Sequence, residues 1–479
     1  MGIQFRYEAL ETWLEQGIRE QRWGSGERLP SIRALCREHG LSKATVQHAL
    51  QRLESRGLIE TRPKAGHFVA VRPLNVAQPV SRARIEPPRP VTVNELLLDI
   101  MGRNAAFDLL PALHETAPPP GIVASNRAIA RALRRPSQGS YQYYDAPAGD
   151  IGLREQLTVG MARRGCRLGV DALCITSGCQ NALFLALMAS CSRGDIVAVE
   201  SPGFYGVMQL LEHLELQVIE IPSAVDCGMD LEALHAVLQR WPVRACIVSP
   251  SFATPGGALM PDAAKQRLLA LADEFDLAVI EDDIYGDTGF TSVPDPLKGM
   301  DRYQRVILCS SFSKSLSRDL RLGWISGARW HDRILQIKLV TQLAGSRSVQ
   351  QGVAAFLADG GYAAHLRRER GRLREQRDQL RTMLDDWPGD VRVSVPDGGL
   401  AVWVELPEGI DTLAAYSRAL AQGVVITPGP LFSASGQFGN CLRLSFAHPW
   451  SQARRQALAV LPEIFGLTPA NGGDERRPA

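Results

Sequence analysis

The sequence predicts two folds in one chain: a small helical head closed by a β-wing, and a large α/β body with a mostly parallel central sheet. Three observations predict them. A length of 479 residues exceeds one ordinary domain. Residues 1–72 hold 12 basic and 8 acidic side chains, while the whole chain is nearly balanced at 53 against 51. Short apolar runs then recur between helical patterns from Ile196 onward, as expected for strands covered on both faces.

Composition narrows the function classes. Hydrophobic residues reach 45%, enough for a large core. The best apolar run, residues 182–190, is about half the ~18–20 residues of a membrane span. No apolar h-region follows Met1, so no secretory signal is expected. Nine cysteines are scattered singly from Cys36 to Cys441, with no CxxC pair or zinc spacing. A disulfide scaffold, a metal site and a membrane partner are therefore not expected, and a reducing cytoplasm fits best.

The head reads in order. Residues 5–21 form a helix with Leu10, Leu14 and Ile18 on one face, ended by Gly24 and Gly26. Pro30 opens a second helix that runs to about Glu38, and Gly40 suits a left-handed stop. Ser42 caps a third helix reaching about Glu54. Two short helices around a glycine turn describe a helix-turn-helix, whose second helix enters a major groove by its N-terminus. Ser42, Lys43, Ala44, Thr45 and Gln47 lie at that leading end. Residues 58–62 and 67–71 read as two strands around Pro63-Lys64-Ala65-Gly66, a wing with a basic tip. Residues 28–64 carry 8 basic against 3 acidic side chains, which suits a polyanion partner.

This head resembles the GntR-type winged helix in Leu29-Pro-Ser-Ile-Arg33, Leu41-Ser-Lys-Ala-Thr45, Leu53-Glu-Ser-Arg-Gly-Leu-Ile59 and Gly66-His-Phe-Val69. The resemblance implies that Arg28, Ser31 and Arg33 touch phosphates or base edges of double-stranded operator DNA. It implies that Ser42, Lys43 and Thr45, with Gln47 beside them, lie in the groove, and that Lys64, Gly66 and His67 reach the adjacent minor groove or backbone. A winged helix used for protein contact, or arginines that are merely a solvated face, are the alternatives.

Residues 73–93 are polar and proline-bearing and read as a semi-extended tether, residues 94–467 as the body, and residues 468–479 as a tail. Within the body, apolar runs at 196–199, 218–221, 245–248, 277–280, 306–309 and 322–325 predict the strands. Residues 207–216 and 263–275 are helical patterns between them. No GxGxxG or P-loop opens a helix, so neither a dinucleotide nor a nucleoside triphosphate site is supported. Chemistry-bearing residues follow two of the strands: Glu281-Asp-Asp-Ile-Tyr285, then Ser310-Ser-Phe-Ser-Lys314 and Arg321-Leu-Gly-Trp324. Ligands of open α/β sheets bind beyond the carboxyl ends of strands, where a lysine, an aspartate and a tyrosine could converge.

In these motifs and their order the body resembles the class I/II aminotransferases, the fold type I enzymes of pyridoxal 5′-phosphate (PLP), with a smaller α+β subdomain. The resemblance implies that Lys314 forms the Schiff base with the cofactor aldehyde, which needs an amine of depressed pKa. Asp282 would hold the pyridine nitrogen protonated, Tyr285 would bond the ring hydroxyl, and Phe204 would stack on the ring. Ser177, Gly178 and Cys179 would cradle the phosphate at a helix N-terminus, with Ser311 and Arg321 completing the cup. Arg443 would grip an effector α-carboxylate bidentately. Tyr144 would reach the phosphate of a neighbouring subunit, which makes the chain a homodimer. Thr254-Pro255-Gly256-Gly257 stands where the family has Asn-Pro-x-Gly, so Thr254 takes the place of an asparagine that helps hold the ring hydroxyl. Cofactor binding is thereby better supported than transamination.

Head and body together resemble the MocR regulators. The resemblance implies a PLP-dependent transcriptional regulator whose body senses an amine, an amino acid or the vitamer itself. A working aminotransferase with an accessory DNA-binding head, and a body that serves only to dimerise, are the alternatives.

Overall fold

A computed structural model of the chain describes residues 6–19, 22–23, 27–55, 58–62, 66–69, 78–79, 83–91, 95–102, 108–111, 117–135 and 142–467. The chain divides into two compact units, Met1–Val76 and Ala77–Ala479.

The head has helices α1 (Arg6–Arg19), α2 (Ile32–His39) and α3 (Lys43–Ser55), then a hairpin of β1 (Ile59–Arg62) and β2 (Gly66–Val69). Its core is Leu10, Leu14, Leu35, Val46, Ala49, Leu50, Leu53, Ile59 and Val69. Helix α2 starts two residues later than expected. Ser31, not Pro30, sets its start, because the Ser31 hydroxyl accepts the Ala34 N–H at 3.2 Å. Gly40 ends it at φ +62°, a conformation that costs a glycine little. Ser42 caps α3 by accepting the Thr45 N–H at 3.2 Å. The wing gains a third rung: Leu29 N–H donates to His67 O at 2.9 Å and Val69 N–H to Glu27 O at 2.8 Å.

In chain order the strands of the body are β3 (Arg89–Pro90), β4 (Cys174–Thr176), β5 (Ile196–Ser201), β6 (Gln217–Ala224), β7 (Gly228–Met229), β8 (Val243–Val248), β9 (Ser251–Ala253), β10 (Ala258–Leu259), β11 (Ala278–Asp282), β12 (Val306–Ser311) and β13 (Gly323–Ser326). The main sheet runs β3-β6-β5-β8-β11-β12-β13-β4. From β6 to β12 all neighbours are parallel, while β13 is antiparallel to both β12 and β4. Both faces of the sheet are covered, which is why its strands read as unbroken apolar runs. Val197 and Val199 pack with Leu183, Leu187 and Leu211 of helices Cys179–Ser190 and Tyr205–His213. Ile196 and Ala198 face the other way, onto Leu234, Leu238, Leu268 and Leu271 of helices Leu231–Arg240 and Asp262–Glu274.

A smaller antiparallel sheet follows, with β14 (Arg392–Val393), β15 (Ala401–Glu405), β16 (Thr427–Pro428) and β17 (Cys441–Ser445) in the order β14-β15-β17-β16. Trp403, Phe432 and Phe446 fill its core. Within the stretch expected to be a semi-extended tether, Arg84 and β3 are bonded to the body. β3 pairs antiparallel with the edge strand β6. Arg84 N–H donates to Gln437 Oε1 at 2.8 Å, and Gln437 Nε2 returns a bond to Arg84 O at 3.4 Å. Among the described residues no helix is long and apolar enough to cross a membrane.

Candidate functional site

The carboxyl ends of β4, β5, β11 and β12 carry the body's chemistry. Both β11 and β12 run two residues past their apolar stretches, to Asp282 and Ser311. Lys314 follows in the turn after β12. Burial pushes its ammonium well below the ordinary lysine value, the Arg318 and Arg443 charges push the same way, and Asp282 and Cys179 oppose them. The neutral, nucleophilic amine is thereby favoured. The turn is braced from behind. Phe312 packs 5.0 Å from the Trp324 ring and 5.4 Å from the Tyr362 ring. The Tyr362 hydroxyl lies 2.7 Å from both Ser315 Oγ and Asp287 Oδ2, and His365 Nε2 is 3.1 Å from Ser315 O.

Asp282 is 4% exposed. Its Oδ1 accepts the Cys179 thiol at 3.3 Å and the Ile284 N–H at 3.2 Å. Burial raises its carboxyl to about 6, against those bonds and the Lys314 charge. The neighbouring Asp283 points into a buried pair with Arg164, at 2.6 and 2.8 Å, which holds the strand end in place. Burial pushes the Tyr285 phenol up to about 12, so it keeps its proton as a donor at neutral pH.

The strand-to-helix turn beside them is an anion cradle. Gly178 is the N-cap of helix Cys179–Ser190 at φ +89°, with no side-chain cap. That φ strains any side chain, and a Cβ would also crowd the Arg321 guanidinium at 2.7 Å, so glycine here leaves the first N–H groups and the arginine open to one ligand. Arg321 itself sits at φ +49°, a left-handed conformation costing ~1–2 kcal/mol. Its guanidinium donates to Ser177 O at 2.9 Å. The Ser177 N–H is taken by Asn181 Oδ1 at 3.1 Å, and the Ser177 hydroxyl accepts from Gln342. Ser311 Oγ accepts the Ser313 N–H at 3.2 Å. A cavity of about 260 Å³ adjoins the cradle, lined by Ser177, Arg321, Gln342 and Ser346 among others.

Arg443, 4% exposed on β17, spreads its guanidinium 5.3 Å from the Phe432 ring and 5.7 Å from the Tyr205 ring. The half-buried Phe204 ring lies 4.9 Å from that of Tyr205. Thr254 is half-buried in the turn between β9 and β10. Tyr144 is 79% exposed and so barely packed within its own chain. Two contributors escaped the sequence reading, Asn181 and Arg318, while Cys179, expected there, also bonds Asp282 through its thiol. The four-residue spacings Ser177 to Asn181 and Lys314 to Arg318 were the available signals.

In the head, a cavity of about 960 Å³ is lined by Arg28, Ser31, Arg33, Arg37, Lys43, Gly66 and His67 among others. Six of the expected DNA residues thus meet at one cleft, and Arg37 joins them. All four cations are exposed. Ser42 and Gln47 are exposed at the start of α3, with Thr45 half-buried and its hydroxyl 2.8 Å from that of Ser42. His67 Nδ1 lies 3.0 Å from Thr61 Oγ1 across the wing. Lys64 lies outside the described residues.

Comparison with known proteins divides the chain the same way. Residues 6–69 match the family of bacterial regulatory proteins, gntR family, and residues 120–461 match aminotransferase class I and II. The HTH-type transcriptional regulator YjiR of Escherichia coli, itself uncharacterized, is 38% identical over 96% of this chain and 98% of its own length. The structure of Pyrococcus horikoshii kynurenine aminotransferase in complex with PMP superposes with a TM-score of 0.70 at 27% identity, over 78% of this chain and 95% of that one. Thermus thermophilus LysN, an alpha-aminoadipate aminotransferase complexed with N-(5′-phosphopyridoxyl)-L-leucine, gives 0.67 at 30% identity, over 74% of this chain and 91% of that one.

Proposed function

The chain belongs to the GntR-type transcriptional regulators that carry a class I/II aminotransferase domain, the MocR arrangement, and on that premise we propose that its body holds PLP at Lys314 and reads an amino acid or amine there. The observation that carries this reading is the meeting, beyond the carboxyl ends of the strands, of a lysine held towards its neutral form, a buried acid and a glycine-opened anion cradle. That donor set fits a phosphorylated pyridine aldehyde.

Arg321, Ser311 and the N–H groups at Gly178 and Cys179 would hold the phosphate, and Phe204 the ring face. Tyr285, which keeps its phenolic proton, would donate to the ring oxygen, and Thr254, standing where the family has asparagine, would add one hydrogen bond of shorter reach. Asp282 would keep a proton on the ring nitrogen. Bound PLP would supply an aldehyde that condenses reversibly with primary amines, and a ring that draws electrons from them. Arg443 would bind the effector carboxylate on its aromatic floor, where partial desolvation strengthens the pair. The exposure of Tyr144 supports a homodimer in which the partner subunit's Tyr144 closes the phosphate site. The nine cysteines, all free, suit action in a reducing cytoplasm.

The head supports operator binding through its basic cleft. A sensor works only if the effector binds the two states of the body unequally, and ~1–3 kcal/mol of such coupling gives useful control.

Lys314→Ala tests the reading. Borohydride reduction of the wild-type chain with PLP should fix the cofactor to Lys314, and the variant should take up no reducible label. The variant should still bind operator DNA but no longer respond to effector. A variant with an unchanged effector response refutes sensing at Lys314. Sustained turnover of an amino acid with a keto acid by the wild type would favour a working aminotransferase instead.

A further inference from the structure

Cys179 has a side chain as well as a place in the anion cradle, and the two serve different partners. As the first residue of helix Cys179–Ser190 it keeps its main-chain N–H outside the helix's own bonds. Its side chain leaves the cradle for the end of β11, where the thiol donates to Asp282 Oδ1 at 3.3 Å. Both residues are buried, each 4% exposed. One residue thus meets both ends of the candidate cofactor site, the phosphate cradle by its main chain and the acid by its thiol.

The bonds to Asp282 are unevenly divided between its two oxygens. Oδ1 accepts twice, from the Cys179 thiol and from the Ile284 N–H at 3.2 Å. Among the described residues no hydrogen bond reaches Oδ2. The two donors differ in origin: Ile284 lies in the turn of Asp282 itself, and Cys179 on a helix 103 residues away in sequence. A carboxylate bonded only within its own turn keeps freedom to rotate, and a second donor from another element removes it. Burial and the Asp282 charge push the thiol well above its ordinary value, so it keeps its proton and stays a donor at neutral pH.

We propose that the Cys179 thiol is a positioning group for the cofactor, holding Asp282 by Oδ1 so that Oδ2 is the oxygen offered to the pyridine nitrogen. The proposal rests on the cofactor reading above and deepens it. The thiol acts through Asp282. Its effect therefore follows the presence of a donor at position 179, and it vanishes when residue 282 no longer serves the ring nitrogen.

The test is PLP titration of the full chain carrying Cys179→Ala or Cys179→Ser, each with and without Asp282→Asn. Alanine and serine both remove the sulfur, and only serine keeps a donor. Cys179→Ala should weaken PLP binding roughly five- to tenfold, as for one net hydrogen bond, and Cys179→Ser should recover most of that loss. The pH at which the cofactor absorbance changes should rise in the alanine variant, because a ring nitrogen without its proton draws fewer electrons from the lysine link. In the Asp282→Asn chain, Cys179→Ala should cost less than about twofold further. Equal losses in the alanine and serine variants, or an alanine loss undiminished in the Asp282→Asn chain, overturn the assignment while leaving the cofactor in place. A wild-type chain that takes up no PLP overturns the cofactor reading, and this inference with it.

Discussion

Asp282 is the side chain whose electrostatics state its role most clearly. A carboxyl that is 4% exposed, with a proton affinity raised to about 6, is held against its own solvation preference. Folded, it binds its proton more tightly than the unfolded chain does, at an ordinary 3.8. Its contribution to stability is therefore complete below about pH 4 and is lost as pH climbs through 6. The difference between those values is worth ~3 kcal/mol. In the cofactor-free protein, Asp282→Asn should leave stability unchanged at pH 4 and raise it by up to ~3 kcal/mol at pH 8, since Asn can still accept from Cys179 and Ile284. The same variant should bind PLP more weakly. Denaturant midpoints at the two pH values, with PLP titrations beside them, check both halves. A variant that is less stable at pH 8 and retains PLP would show that the carboxylate serves the fold alone. Glu200, raised to about 7 by burial, adds a pH slope of the same sign, so the comparison is between variant and wild type at each pH.

Helices and strands show what a sequence reveals and what it hides. The strands β5, β6, β8, β11, β12 and β13 were legible because a sheet covered on both faces leaves unbroken apolar runs. β4 was not, since Cys174–Thr176 is only three residues long and holds one large apolar side chain. The start of α2 was misplaced at Pro30, because proline and serine are both start signals and only the side-chain bond from Ser31 separates them. Docking of β3 was hidden for another reason: it is held by main-chain bonds and the Gln437 carboxamide, which impose no hydrophobic pattern. Lys314, Asp282 and Arg321 stand out in the sequence because their spacing within motifs is characteristic, whereas Arg318 looks like any surface charge there. In the head, capping places Lys43 at the leading end of α3, and Arg33 lies in the first turn of α2, both on the basic cleft. Arg33→Ala and Lys43→Ala should each weaken operator binding and make the salt dependence shallower by about one released counterion. Retention of both affinity and slope would remove these side chains from the interface.

Effector binding in the body would alter the hold on DNA only through elements that respond to it, and a run of contacts links the surroundings of Arg443 to Arg84. Phe432 packs against the Arg443 guanidinium, and its carbonyl accepts the Gly203 N–H at 2.9 Å, next to Phe204. The segment just after it is fastened to Glu220 of β6, which accepts the N–H groups of Ala434 and Ser435, each at 3.1 Å. Glu220 also accepts the Ser201 hydroxyl at 2.7 Å, at the end of β5. Two residues beyond Ser435, Gln437 clasps Arg84 by both its main-chain groups. A ligand bound at Arg443 would therefore act beside a segment that Gln437 ties to Arg84. Coupling needs such an element to favour different arrangements in the two ligand states, and its size is the same whether read at the effector or at the DNA. Gln437→Ala removes the clasp without touching Lys314, Arg443 or the basic cleft. The variant should keep the wild-type midpoint for effector-induced absorbance change when no DNA is present, and it should keep the wild-type affinity for operator DNA without effector. The change in DNA affinity on adding effector, about 5–150-fold for coupling of ordinary size, should fall towards none. Full coupling in Gln437→Ala would mean that the signal leaves the body by another route.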